Sequence, residues 1–232
     1  MNIMAFDTSA KAAGVAVCSE EKLLAEFSVN TGLTHSQTMM PMAQAALDCA
    51  KLTLNDIDAF AVAAGPGSFT GLRIGIAAVK GLAQTLGKPC VPVSTLEGLA
   101  QNLQSFEATV CAVMDARCKQ VYNALFTCGG TPSRLCEDRA ISIEQLTQEL
   151  KTVSNRILLV GDGAELCYTQ MHASLPQVEL APVALRHQKA SSVALCAHRL
   201  YAQGVRVEAG ELIPTYLRLS QAERQLQEKN RK

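Results

Sequence analysis

Two short stretches of this chain carry residue types that could handle a phosphate group. The first is "GPGSFTGLRIG" at 65–75, in which four glycines and a proline run directly into a helix-forming segment. Gly65 and Gly67 let the backbone turn and approach something closely, and Ser68 or Thr70 can cap the helix that follows. Bare amides at a helix start favour anions, so one reading is a phosphate cradle made by Gly65, Gly67 and Ser68. The other is mechanical: a tight turn feeding a helix that packs closely. The spacing matches neither the dinucleotide fingerprint nor the P-loop. The second stretch is "DTSAKAAG" at 7–14. Asp7, Thr8 and Ser9 suit contacts to phosphate or to water around a cation. They equally suit the end of a strand closed by an Asx-type turn.

The elements around these stretches repeat. Apolar runs at 3–9, 14–19 and 22–29 read as consecutive antiparallel strands. A helix follows over 36–50, then a strand at 59–64, a helix over 72–87 and a strand at 88–94. The second half begins again with "TVCAVMDAR" (109–117), an apolar strand ending in Asp115 as the first ends in Asp7. Strands at 120–128 and 134–142, a helix over 143–153 and "RILLVGDGA" (156–164) follow, the last parallel to "AFAVAAGPG". Two copies indicate a duplicated unit rather than a solenoid. The expected architecture is a two-lobed α/β protein with lobes at 1–103 and 104–220 and a polar tail at 221–232. In such a fold a nucleotide can sit in the cleft, held by the turn after the first strand of each lobe.

Composition narrows the function. The chain has 232 residues, 48% of them hydrophobic, enough for a sizeable folded core. It carries 21 basic and 21 acidic residues and no tryptophan, so it lacks the basic surplus and stacking platforms of a protein that grips RNA alone. Nine cysteines, odd in number and without a CxxC pair, read as reduced thiols in a cytoplasmic protein. No secretory leader and no run long enough to cross a membrane is expected. His35, His172, His187 and His198 include no i,i+4 pair. Two helix faces attract notice. Gly71, Gly75 and Ala78 are small and share a face, which suits a close helix neighbour or the lobe's own sheet. Met39, Met42, Ala43 and Ala46 form an adaptable side that reads as a partner surface or as core.

"FDTS" near the start, "HSQ" at 35–37, the glycine motif, "MDAR" followed by "VY" at 114–122, and "PTYLR" at 214–218 resemble the bacterial TsaB (YeaZ) family over essentially the whole chain. The resemblance implies a duplicated actin/sugar-kinase-like (ASKHA) fold. It also implies a non-catalytic partner for a TsaD-type subunit in making N6-threonylcarbamoyladenosine beside the anticodon of ANN-decoding tRNAs. A TsaE-type ATPase completes that complex, tRNA is met only through it, and the chain pairs with itself when TsaD is absent. The resemblance places the pairing surface on the two first-lobe helices, with Met39, Met42, Ala43, Ala46, Gly71, Gly75 and Ala78. TsaD-type relatives bear an HxxxH metal pair where this chain has Thr95 and Leu99 within "STLEGLA". The implied chain therefore has no catalytic residue, no metal and no required cofactor. Its nucleotide site at Asp7, Thr8, Ser9, Gly65, Gly67 and Ser68 would be weak or vestigial for ATP or ADP. The alternatives are a regulatory nucleotide-binding protein, or an independent ATP-dependent or metallopeptidase-like enzyme of the same fold.

Overall fold

The most apolar segments take the middle of each sheet, where both faces are covered. The computed structural model describes residues 1–20, 22–31 and 34–218, and the polar tail expected at 221–232 lies outside them. β1 (Asn2–Asp7) is buried from Ile3 onward. It pairs antiparallel with β2 (Ala13–Ser19), which in turn pairs antiparallel with the more exposed edge strand β3 (Lys22–Val29). After α1 (His35–Ala50) the chain returns as β4 (Ala59–Gly65), parallel to β1 and buried throughout. α2 (Phe69–Leu86) then leads to β5 (Cys90–Ser94), parallel to β4, and α3 (Thr95–Gln101) follows directly. The sheet order is β3-β2-β1-β4-β5.

The second half repeats that plan. β6 (Ala108–Asp115) pairs antiparallel with β7 (Gln120–Cys128), on whose far side lie two short strands, β8 (Ser133–Arg134) and β9 (Arg139–Ser142). α4 (Ile143–Leu150), β10 (Ile157–Val160), α5 (Ala164–Met171), β11 (Val178–Leu180) and α6 (Ala190–Ala202) complete it. The order β11-β10-β6-β7-β8 is the first sheet's order with the same strand senses. The duplication is that of the actin/sugar-kinase-like fold. The single third strand expected over 134–142 is broken in two. Leu135 N still donates to Leu125 O at 2.8 Å, but between the two strands Arg134 turns to the carboxylate of Asp138 at 2.5 Å, and Asp138 accepts from Ser94 Oγ at 2.6 Å.

The packing of two helices crosses the halves. α3 ends the first unit in sequence but packs on the second sheet, burying Leu96, Leu99, Ala100 and nearby Leu103 against Val110, Ala112, Met114 and Leu158. α6 ends the second unit and packs on the first sheet, with Val193, Ala194, Cys196 and Ala197 against Ile3, Ala5, Ala59 and Val91. The two helices meet at Gly98, where a Cβ would lie 3.5 Å from Val193. Arg199 of α6 donates to Gln101 Oε1 at 2.7 Å and reaches Glu97 at 3.4 Å. Each sheet thus has one layer supplied by the other half. The nine cysteines are free; burial pushes Cys18, Cys167 and Cys196 up to about 12, so these thiols act as small apolar filler.

Because the halves share their helices, they should unfold together. Leu99→Ala should lower stability by about 2–5 kcal/mol. Urea denaturation followed by circular dichroism should keep a single transition with an earlier midpoint.

Candidate functional site

The turns after β1, β4, β6 and β10 converge between the sheets. The chain leaves β1 at Asp7, whose Oδ1 accepts from Ser9 N at 2.9 Å and from Ser9 Oγ at 2.6 Å. This is the self-bonded turn that Asx residues favour. Thr8 Oγ1 donates to the carbonyl of Gly71 at 2.8 Å, and the carbonyl of Ser9 accepts from Ser68 N at 2.7 Å. Burial pushes the Asp7 carboxyl up to about 6; Ser9 and His35 work against that shift, and Asp162 adds to it. His35 itself hydrogen-bonds the carbonyl of Ala10 at 2.7 Å. Asp162 sits just past β10, and the backbone N–H of Asp115 donates to it at 3.4 Å. Burial and the nearby Asp115 hold Asp162 above its ordinary value, opposed by that N–H bond and by His187.

The glycine loop sits directly on the turn after β1. Ser68 caps α2 by accepting from Gly71 N at 3.3 Å. A Cβ on Gly71 would overlap the carbonyl oxygen of Thr8, and one on Gly75 would overlap Thr8 Oγ1. Gly65 has φ +131°, and a Cβ there would overlap the carbonyl oxygen of Thr215. The glycines therefore serve contact: they bring α2 and its loop against residues 7–9 on one side and against residue 215 on the other. Residues 213–218 form a strap over this junction. Thr215 N donates to Ala64 O at 2.7 Å, and the Tyr216 ring stacks on Phe69 with centroids 4.4 Å apart. Arg73 Nε donates to the Tyr216 hydroxyl at 2.9 Å. The strap then crosses to the second lobe, where Arg218 Nη1 donates to the carbonyls of Ala116 and Arg117.

The structure brings Asp7, Thr8, Ser9, Gly67 and Ser68 together as the nucleotide reading requires. The buried Thr8 and Ser9 give their hydroxyl protons to Gly71 and Asp7, which leaves neither hydroxyl free to donate to a phosphate, while exposed Ser68 accepts from Gly71 N. Thr95 is buried with its hydroxyl unpartnered, and Leu99 belongs to the apolar cluster under α3. Neither can ligate a cation as an imidazole pair would.

Six of the seven expected pairing residues are buried in the isolated chain, and Ala78 is half-buried. Met39, Met42, Ala43 and Ala46 pack in the first lobe's core with Phe6, Val15 and Val62, because the apolar side of α1 covers β2 and β3. Gly71 and Gly75 face Thr8. The exposed positions of the two helices include Met40, Ala77 and Gly81 beside polar Gln37, Gln44, Arg73 and Gln84. Sequence reasoning also passed over Asp162, and it marked "PTYLR" at 214–218 as a motif without giving it a role. Asp162 was signalled by the match of "GDGA" to "GPGS", which puts a carboxylate at the loop of the second lobe. The strap has no periodic pattern to mark it.

Comparison with known proteins brings these features together. A family model described as TsaD, tRNA N6-adenosine threonylcarbamoyltransferase, matches residues 30–226. The Bacillus subtilis (strain 168) protein named tRNA threonylcarbamoyladenosine biosynthesis protein TsaB is 31% identical over 227 residues, 96% of each chain. Its namesake in Escherichia coli (strain K12) is 40% identical over 124 residues, 53% of each chain. Among solved structures, YeaZ from Pseudomonas aeruginosa superposes with a TM-score of 0.81 at 30% identity, covering 93% of this chain and 99% of that one. The ethanolamine utilization protein EutJ from Carboxydothermus hydrogenoformans shares the fold at 11% identity, with a TM-score of 0.54 over 84% of this chain and 90% of that one.

Two consequences can be measured on the isolated chain. Gly71→Ala drives a methyl into the Thr8 carbonyl and should cost about 1–3 kcal/mol or prevent folding. Gly81→Ala, with nothing within 4 Å, should instead stabilise α2 by about 0.5–1 kcal/mol in thermal melts. Asp7 binds its proton more tightly when folded than when unfolded, so stability falls as pH rises from about 4 to about 6 and is level above. Asp7→Asn should remove that slope and gain about 2–3 kcal/mol above pH 6, read from denaturation midpoints across pH.

Proposed function

The chain belongs to the TsaB (YeaZ) family, and on that premise we propose that it is the non-catalytic partner of a TsaD-type subunit. Its process is the biosynthesis of threonylcarbamoyladenosine in tRNA. The finer reading is that it binds the catalytic subunit and holds it in the arrangement that transfers the threonylcarbamoyl group to adenosine next to the anticodon of ANN-decoding tRNAs. The observation that carries this is the pair Thr95 and Leu99. At the positions that bear two histidines in TsaD-type relatives, this chain has a buried hydroxyl and an apolar packing residue. A metal-dependent transfer has no ligands there.

A partner that does no chemistry must act through its surface and its rigidity. The exchanged helices and the strap tie both lobes into one body. On the first lobe, α1 and α2 lie side by side and leave Met40, Ala77 and Gly81 exposed. Small outward residues let another helix approach closely, and methionine adapts to what it meets. We assign pairing with the TsaD-type subunit to this outer face, and self-pairing to the same face when that subunit is absent. Activation then requires the catalytic subunit to have two states, of which this chain binds one more tightly. A TsaE-type ATPase joins the assembled pair, and tRNA is engaged by the assembly. The chain needs no cofactor of its own; ATP or ADP binds its cleft weakly, since the hydroxyls there are already committed. No described helix is long and apolar enough to cross a membrane, and the proposed setting is the cytoplasm.

The test is reconstitution with labelled threonine, bicarbonate, ATP, unmodified ANN-decoding tRNA, the adenylate-forming enzyme and the TsaD- and TsaE-type subunits. Label should enter tRNA only when this chain is present; equal incorporation without it overturns the proposal. Ala77→Arg and Met40→Glu, both at exposed positions, should remain folded yet weaken pairing at least about tenfold, since each places an unpaired charge in a close contact. Size-exclusion chromatography of the mixture reads that weakening.

A further inference from the structure

The strap gathers cations that the fold itself leaves uncompensated. Arg73 meets only the hydroxyl and ring face of Tyr216, and Arg218 meets only backbone carbonyls. Among the described residues, no carboxylate pairs with either. Arg117 stands beside Arg218 on the turn after β6 with its side chain 80% exposed. Asp115 lies 3.8 Å away, an exposed and long pairing that neutralises little. Residues 117–119 take left-handed backbone angles, with φ of 64°, 54° and 57°, which turn this basic stretch into an exposed corner. Across the cleft, exposed Lys11 follows Ala10, which is packed into the same apolar cluster as Ala116, with Leu217 of the strap against it. Arg73, Arg117 and Arg218 thus follow the strap across the two lobes, with exposed Lys11 on the turn after β1, and this basic rim, broken by Asp115, stands in a chain whose net charge is zero.

We propose that this rim contacts the sugar–phosphate backbone of the tRNA when the chain is in its complex. The inference rests on the function proposed above and deepens it: the chain contributes phosphate contacts directly. Three of the four cations are arginines, whose planar guanidinium matches phosphate oxygens two at a time. The Phe69–Tyr216 stack and the Ala116 and Arg117 carbonyls hold two of them in place, so little side-chain freedom is lost on binding. Cations spread across two lobes suit a charged polymer that crosses the cleft better than a single compact acidic side chain. A local basic rim also reconciles a neutral chain with an RNA process, because local charge steers association.

The experiment measures tRNA affinity of the assembled complex at several salt concentrations, with Arg117→Glu and Lys11→Glu together in this chain. The expected result is affinity about 5- to 30-fold weaker, with a salt dependence flattened by roughly 0.7–0.9 for each phosphate that is no longer neutralised. Assembly should be unchanged, R117K should restore most of the affinity that depends on that position, and Lys22→Glu on β3 should have no effect. Parental affinity and slope in the double variant overturn the rim. Failure of the double variant to assemble also overturns it, because the surface would then face protein. A parental complex that modifies tRNA while the double variant binds normally condemns the rim alone. A parental complex that neither binds nor modifies tRNA condemns the functional reading as well.

Discussion

The contact between the turn after β1 and the first turns of α2 organises the first lobe. Thr8 Oγ1 reaches the carbonyl of Gly71, and Gly71 and Gly75 leave no side chain between helix and turn. Any Cβ at Gly71 would overlap a backbone atom rather than a side chain that could swing away. This depth of approach fixes where α2 enters, which fixes the loop at 65–68 and therefore the groove into which residue 215 fits. The strap follows from the same constraint: Phe69, on the first turn of α2, supplies the surface on which Tyr216 stacks.

Those contacts change what the cleft can do. Hydroxyls that could have faced a phosphate donate within the lobe, and Asp7, taken from solvent, shifts toward the neutral form at mild acidity. The strap then joins the glycine loop of one lobe to the turn after β6 of the other, while α3 and α6 join the same lobes at their backs. The strap at residues 213–218 thus bridges the lobes at the front as the exchanged helices do at the back, and the two lobes form one body.

Much of this was legible in the sequence, for reasons that differ from element to element. The duplicated strand order was visible because central strands read as short apolar runs, each ending at a carboxylate, Asp7 and Asp115. The junction at 65–75 was visible because glycine density needs a cause. The destination of α3 was not: six of its seven residues are buried, polar Thr95 and Gln101 among them, so no single apolar stripe says which sheet it covers. The methionine side of α1 carried the same ambiguity, since a stripe that packs on its own sheet and one that meets a partner have the same period. The break in the edge strand coincides with Arg134 meeting Asp138 and with Asp138 accepting from Ser94, the second a contact between distant elements that no local pattern reports.

The glycines of α2 separate these two kinds of cause. Gly71 and Gly75 break helix propensity for a reason found within the chain, the approach of Thr8. Gly81 breaks the same rule with nothing within 4 Å, on an exposed part of the helix where alanine would be more stable by about 1 kcal/mol. Nothing among the described residues accounts for that cost. Gly81 lies one turn beyond Ala77, on the exposed side of α2. The buried glycines thus shape the lobe, and the exposed one leaves a bare stretch of helix at its surface.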